Sequence, residues 1–214
     1  MGLNVKICGI TSMNHVKACI NGKANMIGLM FYRKSPRFIK LKKAKEISDF
    51  AKNKIKRVGV IANLDIEEIK EIIKNVDLDY LQFHGNESCD FLKKVKKELN
   101  LKIIKAIRIE KRNDIKKILS FNNVSDYILL DTKIVKNNNL NFKIKSKKLD
   151  WNMLKKIKNK RKLILSGGIN SENLKDAINA SNFKFVDVSS SLEKIPGKKS
   201  VKKISNFLKL ATKL

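Results

Sequence analysis

The sequence predicts an α/β fold, a (β/α)8 TIM barrel in which residues 1–214 form a single domain. Three observations predict it. Short β-rich apolar runs alternate with longer amphipathic ones along the chain, a pattern that implies a parallel sheet with helices on its faces. The alternation repeats eight times within 214 residues, near the lower end of the size range of such barrels. The G-x-G-x-x-G turn that often follows the first strand of a doubly wound open sheet does not occur here.

The eight units read in order. Strand Val5–Cys8 precedes a helix over Met13–Asn21, and strand Met26–Met30 precedes, after a long loop, a helix over Lys42–Lys52. Strand Arg57–Ile61 leads to helix Ile66–Asn75, and strand Asp79–His84 to helix Glu87–Leu99. Strand Lys102–Ile107 leads to helix Asp114–Phe121. Strand Tyr127–Asp131 is followed by a long polar loop and helix Trp151–Lys158. Strand Leu163–Ser166 leads to helix Ser171–Ala180, and strand Phe185–Val188 to helix Ser200–Leu210. Asn14, Asp65, Asn86, Asp114 and Asp150 stand at or near helix starts and have side chains suited to capping.

Composition narrows the function classes. No apolar run approaches the roughly 18 residues of a membrane span, and the N-terminus has no secretory leader. Three cysteines without a CxxC pair argue against a disulfide framework or a zinc site and favour a reducing, cytoplasmic setting. The net charge is +28, which invites a nucleic-acid reading. Against that, the 42 lysines are spread along the chain, only six residues are arginine, and stacking aromatics are few. Nucleic acid is therefore not the expected partner, although the charge can draw in an anionic small molecule.

In a barrel the active site lies at the C-terminal ends of the strands. Those ends carry Cys8-Gly9, His84-Gly85, Arg108, Asp131, Ser166-Gly167-Gly168 and Ser189-Ser190. Period-two alternation sorts their directions. Val5, Ile7, Leu81, Phe83, Ile128, Leu130, Val186 and Val188 should face the helices. Lys6, Cys8, Gln82, His84, Asp131 and Asp187 should point inward. Cys8 can act as a base only as a thiolate, which Lys6 or a strand-end arginine would favour. Asp131 ends an apolar strand, where an inward carboxyl can hold and donate a proton. Arg37, in the loop after the second strand, offers a planar fork for a carboxylate or a surface for an aromatic ring. The Gly167-Gly168 and Ser189-Ser190 turns fit the phosphate position after strands seven and eight. Lys6 and Asp187 lie on strands that become neighbours on closure, so a buried ion pair is expected between them. One other histidine, His15, lies in a helix, and no metal site is expected.

Taken together, the ordered motifs resemble phosphoribosylanthranilate isomerase, a family of tryptophan biosynthesis. They are Lys6-Ile7-Cys8-Gly9-Ile10-Thr11, Ser35-Pro36-Arg37, Gln82-Phe83-His84-Gly85 and Lys105-Ala106-Ile107-Arg108. They continue with Leu130-Asp131, Asp150-Trp151, Ser166-Gly167-Gly168-Ile169 and Val186-Asp187-Val188-Ser189-Ser190. The resemblance implies an Amadori rearrangement of a phosphorylated sugar, with Asp131 as general acid and Cys8 as general base. It implies that Arg37 holds the anthranilate moiety, with His84, Lys6 and Gln82 as further substrate-binding groups. Gly167, Gly168, Ser189 and Ser190 would hold the phosphate, and no cofactor would be needed. The chain departs from the family pattern twice. Residues Thr132 to Leu149 contain no glycine where a glycine-rich loop is usual, and Ser191 stands where the family has glycine after Ser-Ser. A different phosphosugar-barrel isomerase or epimerase, and a decayed basic binding protein, are the competing expectations. Both a monomer and a homodimer are compatible with the sequence.

Overall fold

In a computed structural model, residues 2–131, 151–157 and 159–214 are described. The glycine-free stretch 132–149, the Asp150 cap and the Lys158 end of a predicted helix lie outside the described residues. The eight parallel strands close into one barrel in chain order. They are β1 (Asn4–Cys8), β2 (Met26–Met30), β3 (Lys56–Ile61), β4 (Tyr80–Phe83), β5 (Lys102–Arg108), β6 (Tyr127–Asp131), β7 (Leu163–Leu165) and β8 (Phe185–Val188). Helices α1 (Met13–Asn21), α2 (Leu41–Ala51), α3 (Ile66–Asn75), α4 (Cys89–Leu99), α5 (Lys117–Phe121), α6 (Trp151–Leu154), α7 (Leu174–Ser181) and α8 (Val201–Ala211) follow the strands in turn. No helix among the described residues is long and apolar enough to cross a membrane.

Local chemistry sets most boundaries, with some corrections to the predicted ones. Asp65 caps α3 as expected, in a box in which its carboxylate accepts from Glu68 N–H while Glu68 accepts from Asp65 N–H. The caps of α1 and α4 are Ser12 and Ser88, not Asn14 and Asn86. A short hydroxyl placed before the first turn reaches the N3 amide, as Ser88 Oγ does at 3.1 Å from Phe91 N. Asp114 lies inside a 3-10 turn over Arg112–Lys116 that precedes α5. The sequence reading missed a small antiparallel hairpin after β8, β9 (Glu193–Ile195) with β10 (Lys198–Lys199). Its two strands are too short to show a period.

The directions inferred from alternation hold. Val5, Ile7, Leu81, Phe83, Ile128, Leu130, Val186 and Val188 belong to the outer core between strands and helices. Phe83 is fully buried there and meets Phe91 of α4 edge-on, ring centres 6.3 Å apart. Burying a side chain of this kind stabilises the fold by about 1.5–3 kcal/mol, and repetition around the barrel fastens the helices to it.

Inward residues form alternating layers, as the strand register requires. The lowest layer comes from even strands: Met26, Tyr80, Tyr127 and Phe185. Tyr127 bridges the other two rings, with centres 5.9 Å from Tyr80 and 5.5 Å from Phe185. Above it the odd strands supply Lys6, Val58, Ile104 and Ile164. The next even layer is Gly28, Gln82, Leu129 and Asp187. The uppermost odd layer is Cys8, Val60, Ala106 and Ser166.

Lys6 is thus a fully buried lysine among aliphatic neighbours. Its ammonium reaches Asp187, its register partner across the β1–β8 seam, at 2.7 Å. The ion pair expected from the sequence is present. Burial alone would pull the Lys6 ammonium down, but the facing Asp187 carboxylate and the Cys8 sulfur outweigh it and raise its pKa. Removing one partner leaves the other buried and unpaired. Lys6→Met should therefore cost about 3–5 kcal/mol in urea unfolding. Lys6→Met with Asp187→Leu should recover most of that loss; equal losses for the two variants would refute the pairing.

Candidate active site

The rim above the top layer encloses a cavity of about 1120 Å³ among the described residues. Cys8, Arg37, Gln82, His84, Asp131, Gly167, Gly168, Ser189 and Ser190 all line it. Lys6 does not. It lies beneath Cys8 with no exposure, its ammonium turned to Asp187 on the neighbouring strand.

Cys8 ends β1 pointing inward and is 5% exposed. Its register partner is Gly28, where a Cβ would stand 2.8 Å from Cys8 Sγ. Only glycine leaves the sulfur its place. Burial pushes the Cys8 thiol above the ordinary value, and Asp187 adds to this, while Lys6 and Lys199 pull it back. The net shift is upward. Lys6 or a strand-end arginine was expected to favour the thiolate; Lys6 does lower the thiol, but its charge is shared with Asp187.

Across the mouth, Gln82, His84 and Asp131 form a chain. Gln82 Nε2 lies 3.2 Å from His84 Nδ1, and His84 Nε2 lies 3.3 Å from Asp131 Oδ2. Contacts at both ring nitrogens fix the plane of the imidazole between the amide and the carboxylate. The histidine predicted to touch substrate therefore stands beside Asp131. Gln82 is 1% exposed and forms the floor beneath it.

A buried pair holds this loop. Lys105, facing outward on β5, meets Glu87 at 2.7 Å and donates to the Gly85 carbonyl at 2.7 Å. Glu87 Oε1 accepts from Asn63 N at 2.8 Å and Gly85 N at 3.2 Å. Burial would raise the Glu87 carboxyl, but Lys105 and these amides hold it below its ordinary value. A Cβ on Gly85 would lie 2.2 Å from Asn63 Oδ1, so the turn beside His84 needs glycine. Lys105 opens one recognised motif and Glu87 lies just past another, yet no spacing rule pairs them. Arg108, also within a motif, lines the same cavity and is exposed.

On the other side, Arg37 is not an empty fork. Its Nε and Nη2 donate to the two oxygens of Glu193 at 2.6 and 2.9 Å. The expected carboxylate partner on that edge is thus internal, and the flat face together with Nη1 is what remains for a ligand. Burial would raise the Glu193 carboxyl, but Arg37 and Lys199 hold it below its ordinary value. Glu193 also meets Lys199 at 2.7 Å, and burial lowers the Lys199 ammonium. Sequence reasoning assigned neither residue, because both lie in the unrecognised hairpin.

The two turns expected to hold phosphate adjoin each other. Gly167 and Gly168 have φ of 97° and 70°, a region open to glycine at little cost. Ser189 Oγ donates to the Cys8 carbonyl at 3.0 Å, and Ser191 Oγ to the Ile169 carbonyl at 2.7 Å. Ser191 is not among the residues with positive φ. A serine therefore fits where the family pattern has glycine, and its hydroxyl ties the two turns together. Among the described residues, no group of three His, Cys, Asp or Glu side chains could hold a metal ion.

Comparison with known proteins agrees with this architecture. The family profile described as N-(5'phosphoribosyl)anthranilate (PRA) isomerase matches residues 5–210. The N-(5'-phosphoribosyl)anthranilate isomerase of Brucella canis is 34% identical over 213 residues, covering 97% of this chain and 93% of that one. The crystal structure of phosphoribosyl anthranilate isomerase from Thermotoga maritima superposes with a TM-score of 0.85 at 32% identity, covering 99% of this chain and all of the other. A crystal structure of such an isomerase in complex with reduced 1-(o-carboxyphenylamino)-1-deoxyribulose 5-phosphate gives 0.83 at 32% identity, with the same coverage. With a closed barrel, an inward cysteine and aspartate at one rim and a profile match over nearly its full length, the chain belongs to the N-(5'-phosphoribosyl)anthranilate isomerase family.

Proposed function

We infer that the protein isomerises N-(5'-phosphoribosyl)anthranilate to 1-(2-carboxyphenylamino)-1-deoxyribulose 5-phosphate, a step of tryptophan biosynthesis. The observation that carries this reading is one cavity with Cys8 at one side, the His84–Asp131 pair at another, and the paired Gly/Ser turns at a third. The substrate is then a small phosphosugar, the whole chain is one catalytic domain, and the free thiols suit the cytoplasm.

The residues divide the work by position. Gly167, Gly168, Ser189 and Ser190 take the phosphate, and the Arg37 face takes the anthranilate ring. Asp131 gives its proton to the furanose ring oxygen as the C1–O bond breaks. The amine lone pair forms the C1=N bond of an iminium. The Cys8 thiolate removes the C2 proton, and that electron pair forms the C1=C2 bond of an enolamine as the iminium nitrogen is neutralised. Protonation at C1 and loss of the hydroxyl proton give the ketone. No electrons are gained or lost overall. An acid and a base at separate points of one rim meet the need for proton transfers at two atoms of one sugar.

The test is loss of anthranilate-type fluorescence with substrate generated in place. Turnover is expected, and none at high enzyme concentration would refute the reading. Cys8→Ala and Asp131→Asn should each lower kcat by about 10²–10⁴-fold without changing the thermal midpoint by more than a few degrees; near wild-type kcat in either would refute its role. Because the Cys8 thiol titrates above its ordinary value of 9.0, the active thiolate fraction grows as pH rises. The thiolate absorbance that Cys8→Ala removes should therefore still be climbing at about pH 9; a plateau already reached at about pH 7 would contradict the upward shift.

A further inference from the structure

We propose that Glu193 is a positioning residue for this reaction, which sets the plane of Arg37 and, through Lys199, couples that arginine to the phosphate turn and to the Cys8 strand end. This rests on the reading of the reaction given above and adds a residue to it.

The geometry begins at Arg37. Its side chain is 22% exposed on a loop, and an arginine so placed has many rotamers. Two features remove that freedom. Gly9, with φ of 80°, leaves the Arg37 stem lying across the backbone beside Cys8: a Cβ on Gly9 would stand 2.6 Å from Arg37 Cδ. Glu193 then takes Nε and Nη2 together, and a two-point contact fixes the plane as well as the distance. Glu193 side-chain exposure is 5%, and the residue does not line the cavity. Anything it does for a ligand, it does through a neighbour.

Glu193 Oε1 also accepts from Lys199 Nζ at 2.7 Å. That ammonium has no exposure and donates to both the carbonyl and the hydroxyl of Ser189 at 3.1 Å. Ser189 in turn donates to the Cys8 carbonyl. One carboxylate therefore connects the group proposed to face the aromatic ring with a turn proposed to hold the phosphate. The hairpin carrying Glu193 is seated independently: a Cβ on Gly197 would stand 2.1 Å from the Pro36 carbonyl oxygen, and Lys203 Nζ donates to the Glu193 carbonyl at 2.7 Å. The side-chain contacts to Arg37 are thus separable from the contacts that seat its backbone.

The experiment is a double-mutant cycle read in steady-state kinetics. Glu193→Gln should raise KM by about 10-fold or more, the scale of a lost charged hydrogen bond, with a smaller change in kcat and little change in the thermal midpoint. In an Arg37→Ala background the same substitution should add about twofold or less, because the amide keeps an oxygen for Lys199 and what it loses is the charged fork on Arg37. Arg37→Lys keeps the charge but not the fork, and should resemble Arg37→Ala. This variant carries the test if Glu193→Gln fails to fold. Multiplicative losses in the double mutant, an unchanged KM in a folded Glu193→Gln, or a near wild-type Arg37→Lys would each overturn the proposal. A wild-type protein without turnover would overturn both the proposal and the reading beneath it; turnover with multiplicative losses would overturn the proposal alone.

Discussion

The Lys6 ammonium sits in the middle layers of the barrel, out of reach of water, 2.7 Å from the Asp187 carboxylate. Neither charge could remain there without the other, because desolvation of a lone ion costs more than the fold can supply. The two residues are register partners on the first and last strands. Their contact therefore forms only when the barrel closes with β8 against β1. It also sets what lies directly above. Cys8 is two residues beyond Lys6 and Ser189 two beyond Asp187, so the pair that closes the seam places a sulfur and a hydroxyl on the rim.

The same device recurs at a smaller scale. Glu87 with Lys105 holds the turn at Gly85, next to His84. Glu193 with Lys199 and Arg37 holds the hairpin, the loop after β2 and the Ser189 turn. Each cluster is buried, each carboxylate in it accepts from more than one donor, and each ends on a residue at the cavity. Among the described residues these buried clusters lie beneath loops that line the cavity, while most of the lysines are exposed.

How far the sequence could be read depended on the range of the forces involved. Alternation in Tyr-Ile-Leu-Leu-Asp or Gln-Phe-His is local, so the facing of Leu130, Phe83 and Asp131 was legible, and with it the strand order. Caps were less so. Ser12 and Asn14 both have suitable side chains, and the choice depends on where the chain turns out of the barrel. The hairpin at residues 193–199 escaped notice because its strands are too short for a period to show. Arg37 was visible as a candidate, but not its occupation by Glu193, 156 positions away.

The sequence by itself determined the eight βα units, the inward direction of Cys8, His84 and Asp131, and the Lys6–Asp187 pairing, because period two and closure of a parallel sheet leave little choice. It also ordered the motifs that mark the family. Tertiary structure alone decided which charges meet. Lys6 sits beneath Cys8 facing Asp187, Gln82 and Asp131 flank the His84 ring, and the Arg37 fork was filled from the hairpin. Those outcomes follow from distances of a few ångströms between segments far apart in the chain, and no local pattern encodes such distances.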